Sequence, residues 1–348
     1  SLFMLYMMVA ILIPSLYVGG RILYEIGFQQ TLVVMSPEFI FCILLLSIIT
    51  AVYCIYGGLY SVVWTGVFQV AILLLGGCLL IVCGSANLGD TPQGIDSMDS
   101  HINPFLLVPQ GIDSWVGMAI FWLTLAFLNS GANPCLVQRC FGAKSEWDAK
   151  MGIIGGGFLK WVLFLLFSWI LLFPGLISIV KLNPGMEKET DSILVLHNAF
   201  SSVGQGIVLI MILAVIMSIV SSVLLSLCTI WTMDIHKRYM QADASEEKLV
   251  AIGQWSTFMI VVIGSVLSPF LLWWSDGIFL FIQDVAVVFI PPLSVLFGAA
   301  FFWKRAHSRA ATLTLISGLI IGVVLFALRN PSASSPWILH QISPLACR

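Results

Sequence analysis

The sequence predicts an all-α integral membrane protein, and three observations predict it. Of its 348 residues, 59% are hydrophobic and only 9% are charged, whereas a soluble domain carries about a quarter charged. The apolar residues fall into runs near the ~20 residues that a helix needs to cross a hydrocarbon core of about 30 Å. The connections between the runs are short; the longest polar ones, about 85–113 and 181–205, leave no soluble domain over. The whole of 1–348 is therefore expected to be one polytopic transmembrane domain.

Counting apolar runs between charged or turn-rich breaks gives about nine spans: 2–20, 39–56, 61–84, 114–133, 152–180, 206–231, 250–274, 278–303 and 311–328. The first begins without the basic region of a signal peptide, and Ser1 is not an initiator, so the chain reads as a piece of something longer. The second and third are split at Gly57-Gly58. No charge separates Glu38 from Asp90, and one unbroken helix of that length would overshoot a bilayer. The fourth ends in Leu128-Asn129-Ser130-Gly131-Ala132-Asn133-Pro134. Proline turns Asn133 away from helical geometry and withdraws a donor, so this is either an ordinary helix end or a break whose freed carbonyls face a cavity. Pro291-Pro292 is expected to interrupt the eighth span in the same way.

Loop charges orient the chain. With alternating spans, one side receives Arg139, Lys144, Lys150, Lys237, Arg238, Lys248, Lys304, Arg305 and Arg309; the other receives Arg21, Lys181, Lys188, Arg329 and Arg348. The first, richer side is cytoplasmic. A formal charge of -2 with 15 Lys and Arg spread thinly offers no basic surface for nucleic acid. Cys42, Cys54, Cys78, Cys83 and Cys228 lie in apolar runs, and Cys135 and Cys140 lack metal-site spacing, which reads as buried small residues.

The stretch from Gly206 to Tyr239 stands apart. Its apolar part carries Ser218, Ser221, Ser222 and Ser226 at i, i+3, i+4 and i+8, a spacing that puts hydroxyls along one side of a helix. Either small residues let helices pack closely there, or the oxygens serve a hard cation. Only Lys160 and Asp284 are charges well inside spans, and intramembrane charge is costly enough to mark function. Lys160 is read as a ligand or ion-pair residue, or as a snorkelling lysine; Asp284 is a site residue or a solvated helix-end carboxylate. An intramembrane enzyme would need a nucleophile, a base and an orienting partner. His101, His197, His236, His307 and His340 all lie in or near loops, and no such constellation is visible, so no enzyme is expected.

The run Tyr56-Gly57-Gly58-Leu59-Tyr60-Ser61-Val62-Val63-Trp64-Thr65-Gly66-Val67-Phe68-Gln69 resembles the signature of the sodium/solute symporter family, which includes the sodium/glucose cotransporters. Three further blocks agree in order and spacing: Val137-Gln138-Arg139-Cys140-Phe141-Gly142-Ala143-Lys144 running on to Phe158-Leu159-Lys160, Ser221 through Thr232-Met233-Asp234-Ile235-His236-Lys237, and Phe302-Trp303-Lys304-Arg305. The resemblance implies a five-plus-five inverted-repeat transporter fold, with the nine spans as core helices three to eleven and the first two core helices outside this chain. It also implies sodium and a small polar solute as partners, with alternating access across the bilayer of the cell membrane.

Carried over by position, Lys160 resembles a lysine that reaches the sugar, Gln283 a glutamine that contacts it, and Asn133 the Asp or Asn before the Val-Gln-Arg block. Ser218 resembles the first of two adjacent hydroxyls that hold sodium, with Val215 offering a carbonyl one turn earlier and Ser222 one turn further in. The departures are equally specific. Ile219 stands at the second hydroxyl, Gly66 at the usual carboxylate, and Pro134 at the usual Gln. Asn129 and Ser130 replace an aromatic pair that stacks on the sugar, which leaves hydrogen bonding in place of stacking. The expected function is secondary active, sodium-coupled symport of a small polar solute, a sugar or similar, with Na+ as coupling ion and no other cofactor. The rival is an uncoupled facilitator or solute sensor with a degraded sodium site.

Overall fold

The computed structural model describes residues 2–28, 36–87, 123–124, 128, 133–167, 202–241, 243–273 and 278–327. Every described element is helical: α1 (Leu2–Met7), α2 (Ile13–Phe28), α3 (Pro37–Asn87), α4 (Pro134–Phe141), α5 (Glu146–Phe167), α6 (Ser202–Thr229), α7 (Glu246–Leu267), α8 (Ile278–Phe302) and α9 (Ser308–Ala327). Among the described residues, five helices are long and apolar enough to cross a membrane: Phe3–Phe28, Pro37–Leu79, Gln205–Met240, Glu246–Leu271 and Asp284–Phe302. The chain divides into two compact units, Ser1–Asn87 with Pro134–Ile282, and Leu88–Asn133 with Gln283–Arg348.

Local chemistry accounts for the ends and breaks. A π-helical turn, Met8–Leu12, joins α1 to α2; Pro14 stands just beyond it after Ile13, and its missing N–H cannot continue an i→i−4 ladder. The Ser36 hydroxyl accepts the Phe39 N–H at 3.3 Å, with Pro37 in the first turn of α3, where its lack of a donor costs nothing. In α3 the backbone leaves the helical region at Gly58 (φ 52, ψ -143), a conformation that glycine adopts without the Cβ clash of other residues. The chain thus changes direction within the Gly57-Gly58 pair. Before α5, Ser145 Oγ donates to Asp148 Oδ2 at 2.8 Å and accepts the Asp148 N–H at 3.1 Å, a capping arrangement. Beyond Thr229 the helix of α6 widens into a π-helical stretch, Ile230–Met240. Helix from Gln205 to Met240, 36 residues, is longer than a bilayer core requires, so its polar end Asp234-Ile235-His236-Lys237-Arg238 projects into water.

The first unit packs α3 against α6, with α2 and α7 on the same core. Leu12, Leu16, Ile22, Tyr24, Phe39, Ile43, Leu224 and Leu227 are fully buried in it. Phe39 takes Tyr17 and Tyr24 edge-on, with centroids 5.8 and 6.2 Å away, a favoured aromatic geometry. Close approach replaces the hydrophobic drive that lipid removes: a Cβ on Gly20 would come within 2.3 Å of Ile43 Cγ1. Buried hydroxyls also cross between helices, as Ser265 Oγ donates to Ser47 Oγ at 2.8 Å while Ser47 donates to the Ile43 carbonyl.

Two expectations change. The first helix does not end at residue 20 but runs to Phe28, because Arg21 and Glu25 neutralise one another at i, i+4 with Nε–Oε1 at 2.7 Å. Pro291-Pro292 does not interrupt α8, which continues through both prolines. Their fixed φ suits a helix, and the second unit covers the damage to the ladder. Gly318 and Gly322 of α9 lie directly against Pro292 and Val288 of α8, leaving 2.6 and 3.0 Å between a glycine Cβ and those residues.

Candidate transport site

The site is best built from α6. No Gly or Pro occurs between Ile207 and Thr229, so this α-helical part is regular enough to hold its hydroxyls at fixed angles. Four hydroxyls of the helix turn back to its own carbonyls. Ser221 and Ser222 donate to the Ser218 carbonyl at 3.1 and 2.7 Å, and Ser226 and Thr229 to the carbonyls of Ser222 and Leu225 at 2.9 Å each. This back-bonding leaves the oxygen lone pairs outward as acceptors.

The four serines do not share one neighbour. Ser221 and Ser226 are buried, at 1% and 0% exposure, whereas Val215 and Ile219 are each 39% exposed and Ser218 and Ser222 are half-buried. Val215, Ser218, Ile219 and Ser222 thus form the open side of α6. Ser221 turns toward α3. There the Tyr53 hydroxyl donates to the Met217 carbonyl at 3.2 Å, and the buried Gln69 Oε1 has no hydrogen-bond partner among the described residues.

Ser222 and Ser226 turn toward α4. Pro134 opens that short helix directly after Asn133, and Cys135, Gln138 and Arg139 follow at i, i+3 and i+4, on one side. Cys135 Sγ donates to the Ser222 carbonyl at 3.4 Å, and Ser226 Oγ lies 3.2 Å from Cys135 Sγ and 3.5 Å from Gln138 Oε1. The Arg139 guanidinium donates through Nη2 to Ser222 Oγ. A cation at Ser222 would face that charge: two unit charges about 4 Å apart repel by roughly 4 kcal/mol at an effective dielectric constant near 20.

The other sequence-derived residues are distributed between the units. Lys160 is exposed on α5 of the first unit, as is every residue from Met151 to Trp161. Asn133 and Gln283 belong to the second, Gln283 in the second turn of α8; Asn129 and Ser130 lie outside the described residues. Asp284, one residue on, is half-buried. The sequence places Arg139 among the loop charges and Cys135 among buried small residues and marks neither, nor Gln138, as a site residue, although their spacing after a helix-starting proline is a usable signal. Tyr53 and Gln69 left none, because their proximity arises only from the packing of α3 on α6. No group of three or more His, Cys, Asp or Glu able to hold a metal occurs among the described residues; the polar atoms of α6 are neutral hydroxyls and carbonyls, a donor type that suits hard cations.

Several long apolar helices carrying small polar groups define a multi-pass integral membrane protein. The comparisons narrow this. The model of the sodium:solute symporter family matches residues 1–322, and the chain belongs to that family. It is 28% identical over 348 residues to a sodium/glucose cotransporter of Vibrio parahaemolyticus, covering 89% of this chain and 60% of the relative. It is 26% identical to the sodium/myo-inositol cotransporter of Homo sapiens, covering 84% and 47%. The chain thus spans about half to three-fifths of the length of these relatives. In fold it resembles a Na+-coupled sialic acid symporter solved in a substrate-bound outward-open state, with a TM-score of 0.71 at 19% identity, over 98% of this chain and 74% of that one.

Proposed function

We propose that this chain is part of a secondary active transporter of the cell membrane that couples sodium entry to the uptake of a small polar solute, a sugar or polyol. One observation carries the reading: the open side of α6 presents Val215, Ser218 and Ser222 together, with the Ser222 proton already committed to the backbone. Such oxygens keep lone pairs of the kind that a hard cation binds. Family membership and the printed names of the relatives support it. In this reading Ser218, Ser222 and the Val215 carbonyl hold sodium, while Lys160, Gln283, Asn133, Asn129 and Ser130 bind the solute through charge and hydrogen bonds. Sodium acts by its differential affinity for the outward-open state, which raises solute affinity there; its gradient then drives release inside. The test is uptake of labelled glucose and myo-inositol into proteoliposomes of the full-length protein. Accumulation should require an inward sodium gradient, and solute entry indifferent to that gradient would sink the coupling.

A second reading, an uncoupled facilitator or solute sensor, is favoured by three features of the same region. Ile219 supplies no oxygen, Gly66 no carboxylate, and Ser222 already serves Arg139.

A further inference from the structure

Arg139 is an exposed guanidinium with no carboxylate partner among the described residues; the ion pairs there are Arg21–Glu25 and Lys150–Glu146. Its described contact is a neutral oxygen, Ser222 Oγ. That oxygen has given its proton to the Ser218 carbonyl, so toward Arg139 it acts as an acceptor, with lone pairs that a metal cation could equally take up. The guanidinium is using Ser222 as a sodium ion would. It is also one of three grips of α4 on α6. Cys135 bonds the Ser222 carbonyl, and Gln138 meets Ser226. Removing the charged grip therefore loosens α4 from α6 without unfolding either helix.

We propose that Arg139 is a tethered cation that occupies the Ser222 hydroxyl in place of sodium, so that a mobile cation at Ser222 and the Arg139 clasp between α4 and α6 exclude one another. The proposal rests on reading the open side of α6 as a cation site. It adds a residue that sets ion occupancy there without itself being a ligand, because two positive groups held against one neutral oxygen repel one another. Sodium arrival frees Arg139 and exposes Cys135; sodium departure lets the clasp reform.

The experiment measures equilibrium binding of radiolabelled sodium to the purified full-length protein, with choline chloride holding ionic strength constant. In parallel, maleimide labelling of the Cys135 peptide is followed by mass spectrometry. Arg139→Gln should bind sodium about fivefold more tightly or better, the lower end of coupling between linked sites. Adding Ser222→Ala to it should abolish the gain, and Arg139→Lys, which keeps the charge, should stay near the native affinity. Labelling of Cys135 should rise with sodium in the native protein and be fast without sodium in Arg139→Gln. Sodium affinity unchanged or weakened in Arg139→Gln, or a gain that survives Ser222→Ala, overturns the proposal. If Arg139→Gln does not fold, Ser222→Ala alone decides: Cys135 should label severalfold faster without sodium, and an unchanged rate overturns the clasp. Uptake that ignores a sodium gradient removes the coupled-transport reading, while the competition at Ser222 is still judged by binding and labelling.

Discussion

Arg21 and Glu25 show what a single pair does in this protein. Their side chains are 15% and 6% exposed and joined at 2.7 Å, and Glu25 Oε2 has no hydrogen-bond partner among the described residues. The carboxylate thus depends on its arginine. Removing one member of a buried pair costs about 3–5 kcal/mol, because the other is left charged without compensation. Arg21→Met should therefore lower stability in detergent by about that amount, and Arg21→Met with Glu25→Leu by clearly less. Thermal unfolding of the purified variants checks this; a single variant as stable as the native protein would show that the pair is idle. In sequence Arg21 looked like the first loop residue. A run of apolar residues is easy to count, whereas the cancellation of two charges one turn apart needs the helix to exist first.

At the scale of elements, close approach decides which helices meet. Gly318 and Gly322 admit Pro292 and Val288, a small-xxx-small contact that lets α9 cover a stretch of α8 whose prolines donate no N–H. Larger side chains must push the helices apart, and overpacking of this kind costs roughly 1–3 kcal/mol. Gly318→Val should destabilise by that amount, as should Gly20→Val, whose Cβ would meet Ile43. Gly152→Ala is the control. Nothing lies within 4 Å of its Cβ position, and replacing glycine in a helix gains up to about 1 kcal/mol. Chemical denaturation of the three variants separates the cases, and equal loss in all three would refute a packing role for Gly318 and Gly20. The Gly57-Gly58 break was legible beforehand, since length alone forbade one straight helix. The path of α8 through Pro291-Pro292 was not, because what relieves a proline lies on another helix.

For the whole molecule, the open side of α6 poses the question of coupling. Family membership and the relatives' names favour sodium, while Ile219 and Gly66 withhold two oxygen groups that the family resemblance implies. Space is not the obstacle, as a Cβ at Gly66 meets nothing within 4 Å and Ile219 is 39% exposed. Gly66→Asp with Ile219→Ser should therefore fold and lower the sodium concentration for half-maximal uptake about tenfold, roughly 1.4 kcal/mol of added binding. Initial uptake rates against sodium in proteoliposomes of the full-length protein read this out. No shift would mean that the native ligand set is already sufficient, or that sodium plays no part.

The sequence by itself determined that this is an all-α membrane protein, roughly where its described apolar helices lie, and which family it belongs to. Those properties depend on local composition, on run length against a bilayer of fixed thickness, and on motifs carried in order. Tertiary structure alone decided that Ser221 and Ser226 are buried while Val215, Ser218, Ile219 and Ser222 stay open, and that Arg139 rests on Ser222. A helix face acquires a meaning only from what packs on it, and α3 and α4 reach α6 from positions more than 80 residues away in the chain. The hydroxyls were visible from the start; which of them stay open was a matter of packing.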